Sequence, residues 1–307
     1  MNLNKSLLEK ANLLGTFARV LINSHIWFGG SIISCSMFSA QFLTIHWNHQ
    51  ITAIIFCSIL FAYNYDRLID AKLQKSTTTN SKMFYQKPWM IFSTVSMILA
   101  ASSIFYLLLV IPYLSKMITF FCISMGALYS VPIIPSWKKH TFKLLRIKEI
   151  PFFKPLIVAL TFTIGIVGLP LSYQPQLVNN KLISCIFLFF FTLMFTGTVT
   201  FDIRDIESDK KHEVPTLPVL IGVKNTKATL LLLNSFVTVL LTYLWFLDFI
   251  TLQNLISMLF SVFSILIGVA IAGKRVTKNS DNFYDLIIIS FYFPLLISLL
   301  LGNFHLL

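Results

Sequence analysis

The chain has 307 residues, of which 56% are hydrophobic and only 12% charged, with a formal net charge of +12. That is too apolar for a soluble domain and enough for several membrane spans. A positive balance of this size would suit a nucleic-acid partner, but its placement along the chain, described below, excludes that reading.

Residues 1–19 carry Lys5, Glu9, Lys10 and Arg19 among apolar residues at helical spacing, which predicts a cytoplasmic amphipathic segment at the interface rather than a signal peptide. Residues 20–307 are expected to form a single transmembrane domain. Its apolar runs predict an all-α, polytopic membrane protein with about nine transmembrane helices, at 20–42, 50–70, 88–111, 117–135, 155–171, 182–202, 227–247, 252–273 and 283–304. Cys35, Cys57, Cys122 and Cys185 all lie inside these runs without paired spacing. Inert buried thiols fit them better than a disulfide framework or a zinc site. His46 and His49 flank Trp47 at an outer turn, an interface position rather than a metal pair.

With the N-terminus inside, all but Lys116 and Lys181 of the 24 Lys and Arg residues face the cytoplasm. This positive-inside asymmetry accounts for the net charge without nucleic acid. Almost every acid falls on the same side, Asp248 excepted. Orientation depends little on acids, so a polar, catalytic cytoplasmic face is the better explanation.

The second predicted span ends Tyr63-Asn64-Tyr65-Asp66-Arg67-Leu68-Ile69-Asp70, which puts Asp66 and Asp70 on one helical face. Carboxylates at the end of a span are costly and functional by default, although Arg67 offers one of them a plain ion pair. The fourth span ends near Tyr129-Ser130-Val131-Pro132, and the following loop is rich in Lys and Arg. There Arg146, Lys148 and Lys154 either grip the oxygens of a diphosphate or serve the positive-inside rule by meeting anionic membrane lipid. The sixth span ends in Asp202-Ile203-Arg204-Asp205-Ile206-Glu207-Ser208-Asp209, closed by Pro215-Thr216-Leu217-Pro218. Asp202, Asp205 and Asp209 share one helical face and repel one another unless a cation sits between them. Mg²⁺, which bridges carboxylates to substrate phosphates, suits the place; a solvated mixed-charge helix end is the plain alternative.

These residues resemble the UbiA superfamily of intramembrane prenyltransferases. The 202–209 stretch, with Thr216-Leu217-Pro218 and Gly222, is similar to that family's second aspartate motif, and Tyr129–Pro132 with Lys148-Glu149-Ile150-Pro151 to the end of its fourth helix and the next loop. The first motif departs from the pattern: Ala62 and Tyr63 stand where Asn and Asp are expected, one carboxylate short. The resemblance implies a bundle around a central cavity and Mg²⁺ held by Asp66, Asp70, Asp202, Asp205 and Asp209 as catalytic acids. It also implies a polyprenyl diphosphate donor met by Asn64, Arg67, Tyr129, Arg146, Lys148, Lys154 and Arg204. A lipophilic, aromatic acceptor would take the prenyl group in the membrane, a bacterial inner membrane being the expected location. Two other classes share some of these features. A membrane terpene cyclase has the same ionisation step without an acceptor. A transporter places ionisable groups near mid-membrane on broken helices, whereas these acids cluster at span ends on one side.

Overall fold

A backbone inside a bilayer must satisfy its own hydrogen bonds, and the long apolar runs of this chain do so as helices. The computed structural model describes residues 25–73, 87–138, 141–150, 152–174, 179–211, 214–273 and 293–300. The expected amphipathic segment at 1–19 and the start of the last expected span lie outside these residues. In chain order the helices are α1 (Ile26–Phe42), α2 (His49–Leu73), α3 (Lys87–Val110), α4 (Tyr113–Ser130), α5 (Phe153–Leu171), α6 (Asn180–Arg204), α7 (Ile206–Lys211), α8 (Leu217–Ile221), α9 (Val223–Phe246), α10 (Leu252–Ile271) and α11 (Phe293–Leu300).

Two results differ from the sequence reading. Six helices among the described residues, α2, α3, α5, α6, α9 and α10, are long and apolar enough to cross a membrane. Of the others, α1 has only 17 residues and α11 only 8 described ones. The all-α class also gains an exception, because part of the basic loop after α4 pairs as an antiparallel hairpin. Its strands are β1 (Ile134–Lys138) and β2 (Thr141–Leu145), with Ser136 opposite Lys143 and Trp137 opposite Phe142. Cross-strand bonds satisfy the backbone there.

The helix ends follow local chemistry. Asn179 caps α6 by accepting from the Lys181 N–H at 2.9 Å, and Thr251 caps α10 by accepting from Asn254 at 3.2 Å. Between α8 and α9 the chain needs a φ of +81°, which Gly222 supplies. Within α5, residues Ile164–Gly168 widen into a π turn, a local distortion that recurs at functional sites.

The central element is α6. Of its most apolar 18 residues 56% are buried, against 17% for α3, and it packs on α5, α8, α9 and α10. Its inward residues, Phe189, Phe190 and Leu193 among them, are buried, while α3 and α9 turn Leu99, Phe105, Leu232 and Phe236 outwards. An outer surface this apolar suits lipid, not water. Inside the helices, hydroxyls return their proton to a carbonyl four residues earlier: Ser31 to Trp27, Thr163 to Ala159, Thr198 to Met194, Thr200 to Thr196 and Ser257 to Gln253. That habit satisfies a polar side chain where no water is at hand.

Candidate active site

Four helices enclose a cavity of about 290 Å³. Each contributes a stripe at three- and four-residue spacing, the period of one helical face. The stripe on α2 runs Ile55, Ser58, Ile59, Ala62, Tyr63, Asp66; that on α4 runs Thr119, Cys122, Ile123, Gly126, Tyr129, Ser130. On α5 it runs from Lys154 through Val158, Thr161 and Gly165 to Leu169, and on α6 from Met194 through Gly197, Thr198 and Phe201 to Asp202. Phe28 and Ile32 of α1 close another side. The walls are therefore apolar for most of their length, and each stripe turns polar at the same end: Asp66, Ser130, Lys154 and Asp202.

The two acids there are held differently. Asp66 Oδ1 accepts from Ser130 Oγ at 2.6 Å and from Lys148 Nζ at 2.8 Å. The Lys148 ammonium also lies 5.5 Å over the Tyr129 ring, a favourable place for a cation. Asp202 is fully buried, with Lys154 Nζ 2.5 Å from its Oδ1. That ammonium occupies Oδ1, while Oδ2 has no hydrogen-bond partner. A buried carboxylate with one oxygen unbonded has spare ligand capacity. An all-oxygen donor set of this kind fits Mg²⁺ rather than a thiolate- or imidazole-seeking metal. Among the described residues no three His, Cys, Asp or Glu side chains already converge on a metal position.

The remaining site candidates are spread around this end. Asp205 accepts two hydrogen bonds from Arg204, at 2.8 and 2.9 Å, while the Arg204 guanidinium sits 5.0 Å over the Phe201 ring. Asp209 accepts from the Thr216 hydroxyl at 3.1 Å, which ties α7 to the start of α8. Neither acid lines the cavity, but backbone bonds from Asp205 to Phe201 and from Asp209 to Asp205 carry the helical course past the end of α6, and the charges of both acids reach Asp202 and Lys154. Asp70 lies on α2, with its side chain outside the described residues. Arg146 is buried, donates from Nε to Glu149 at 2.7 Å and also gives that carboxylate its backbone N–H. It holds the 3-10 turn Ile147–Glu149 together and does not line the cavity, nor does Arg67. Asn64 is likewise absent from its lining. It is buried, and its amide donates to Leu60 of its own helix at 2.7 Å.

Sequence reasoning missed Ser130 and Tyr63. Ser130 carries the bond that fixes Asp66, and its signal was a hydroxyl four residues after Gly126 on the same face. Tyr63 lines the cavity one turn before Asp66, with its ring 4.9 Å from Phe28, which in turn lies 5.4 Å edge-on to Phe162.

The architecture has known counterparts. A UbiA homolog from Aeropyrum pernix K1, in its apo form, superposes with a TM-score of 0.65 at 11% identity, covering 88% of this chain and 98% of that one. A UbiA homolog from Archaeoglobus fulgidus bound to DMAPP and Mg²⁺ gives 0.53 at 15% identity, over 91% and 98%. A digeranylgeranylglyceryl phosphate synthase gives 0.57 at 14% identity, over 91% and 95%. At such identities the likeness establishes the fold alone. No curated protein sequence matches the chain. The sequence profile of the UbiA prenyltransferase family matches residues 33–292, and with its membrane-length helices the chain is therefore an integral membrane protein belonging to that family.

Proposed function

We propose that this chain catalyses Mg²⁺-dependent transfer of a prenyl group from a polyprenyl diphosphate to a lipophilic aromatic acceptor within the membrane. The observation that carries this reading is the cavity, with apolar walls along four helices and Asp66, Lys154 and Asp202 together at one end. A prenyl diphosphate has the same polarity: a hydrocarbon tail and a multiply charged head. The homologs bound to DMAPP or to GPP, each with Mg²⁺, support the same donor class here.

In this reading residues 20–307 act as one transmembrane domain of about nine spans, with 1–19 lying at the interface. The acidic end faces the cytoplasm of a bacterial inner membrane. Asp202, Asp205 and Asp209 would hold Mg²⁺ on one side of the donor's head, and Asp66 and Asp70 on the other. When bound, Mg²⁺ supplies Lewis-acid charge to the departing diphosphate. Lys154 and Lys148 already sit on Asp202 and Asp66, so both ammonium groups lie within reach of the same oxygens and neutralise them as charge develops. Tyr129 lines that end, and Arg67 and Arg204 are neighbours in sequence of Asp66 and Asp205. Arg146 serves by fixing the turn that carries Lys148. Asn64 gives its amide N–H to Leu60 of its own helix and keeps its side-chain oxygen without a hydrogen-bond partner, an acceptor beside the donor's head in this reading. The apolar walls keep water from an allylic cation, and the Phe28, Tyr63 and Phe162 rings line the space it would occupy.

The test is pyrophosphate release from a panel of prenyl diphosphates by membranes carrying the full chain, with Mg²⁺ or EDTA and with or without a lipid-soluble hydroquinone. Release that needs both Mg²⁺ and the hydroquinone is expected. Mg²⁺-dependent release without any acceptor would make the protein a cyclase instead, and no release from any donor would end the transferase reading.

A further inference from the structure

Among the described residues four buried hydroxyls, those of Ser39, Ser58, Thr119 and Thr192, break the rule followed by Ser31, Thr163, Thr198 and Thr200. Ser58 Oγ and Thr119 Oγ1 are buried and have no hydrogen-bond partner, and both line the cavity. Thr119 is only 1% exposed. Their depth follows from the helix register. Asp66 bonds Ser130, and a Cβ on Gly126 would lie 3.2 Å from Ala62, so α2 and α4 run side by side in the same direction, with partners 64 residues apart. Ser58 thus lies roughly 12 Å below Asp66, and Thr119, level with Ile55, roughly 16 Å below, at the rise of an α-helix.

One further turn down, the polar groups are bonded to each other. Ser115 and Ser172 share a hydrogen bond of 2.5 Å, and the Tyr173 hydroxyl donates to Gln50 at 3.0 Å. The chamber therefore carries unbonded hydroxyls well below its acidic end, and a closed hydrogen-bonded layer lies beyond its lining residues.

We propose that this polar floor limits the donor to one or two isoprene units, an inference that rests on the prenyltransferase reading above. Each unit adds four chain bonds, roughly 5 Å when extended at ordinary bond lengths. Two units starting beside Asp66 end at the level of Ser58. A third lays its methyl groups over Ser58 and Thr119 and strips those hydroxyls of any chance to bond water. A fourth meets the Ser115–Ser172 layer.

The experiment compares kcat/KM for pyrophosphate release with dimethylallyl, geranyl, farnesyl and geranylgeranyl diphosphates, using the full chain in membranes. The wild type is expected to lose about tenfold or more between geranyl and farnesyl. In Ser58→Ala/Thr119→Val, where valine keeps the shape of threonine without its hydroxyl, farnesyl should come within about threefold of geranyl. Thr119→Ser, which keeps the hydroxyl, should retain the wild-type ratio. A ratio within one protein is unaffected by partial misfolding, and Thr119→Val alone gives a milder second variant with the same direction of change. Farnesyl matching geranyl in the wild type, or an unchanged ratio in both valine variants, overturns the floor and leaves the transferase reading standing. No release from any of the four donors overturns both.

Discussion

At the scale of single residues, Lys154 and Asp202 are the pair to perturb. Asp202 is fully buried and Lys154 Nζ is its close cation, at 2.5 Å. Removing one member of a buried pair strands the other's charge and costs about 3–5 kcal/mol. Lys154→Met is therefore expected to lower the unfolding temperature in detergent markedly. Lys154→Met/Asp202→Asn should recover most of that loss while leaving pyrophosphate release abolished, because the neutral pair no longer holds charge at the cavity end. A Lys154→Met protein as stable as wild type would show that the pair is not buried as described. Turnover tests the acids separately: Asp66→Asn, Asp202→Asn and Asp205→Asn should each reduce it by about a hundredfold or more. Full activity in all three would remove the metal assignment.

At the scale of elements, the close approach of α2 and α4 sets the cavity end. It depends on Gly126, where an added Cβ would lie 3.2 Å from the Ala62 Cβ. Gly126→Val should force the helices apart, lengthen the Ser130–Asp66 bond and cost about 1–3 kcal/mol. Ala62→Gly in the same chain should return much of the lost stability and activity, since it removes the atom that is struck. An unfolding temperature unmoved by Gly126→Val would mean that the register is fixed elsewhere. The π turn of α5 belongs to the same scale: it brings Gly165 to the cavity wall, 3.7 Å from the Cys122 sulfur by its would-be Cβ.

At the scale of the whole molecule, orientation follows from charge. Lys181 at the start of α6 and Glu207 beyond its end are both exposed and should lie on opposite sides of the membrane. Lys181→Cys is expected to react with a membrane-impermeant thiol reagent added from outside, and Glu207→Cys only after the membrane is opened. Labelling of both from one side would overturn the orientation and, with it, a cytoplasmic site.

Much of this was legible in the order of residues, because hydrophobic period and charge placement are local properties. Membrane class, the course of the long helices, and the acids at the ends of α2 and α6 all needed only the sequence, and so did the family resemblance carried by 202–209. What it could not supply was which side chains meet. Asp202, Asp205 and Asp209 read as one helical face, yet of the three only Asp202 lines the cavity. Asn64, one residue past Tyr63 and so on a different helical face, gives its amide N–H to its own helix and keeps its oxygen unpartnered, which spacing alone does not tell. The sequence reading places no strands in the basic loop, yet Ile134–Lys138 and Thr141–Leu145 pair as a hairpin. The Ser130–Asp66 and Lys154–Asp202 contacts join residues far apart in the chain, and only the packing of α2, α4, α5 and α6 decides them. Sequence determines what each helix offers on each face; the tertiary structure determines which faces enclose the same space.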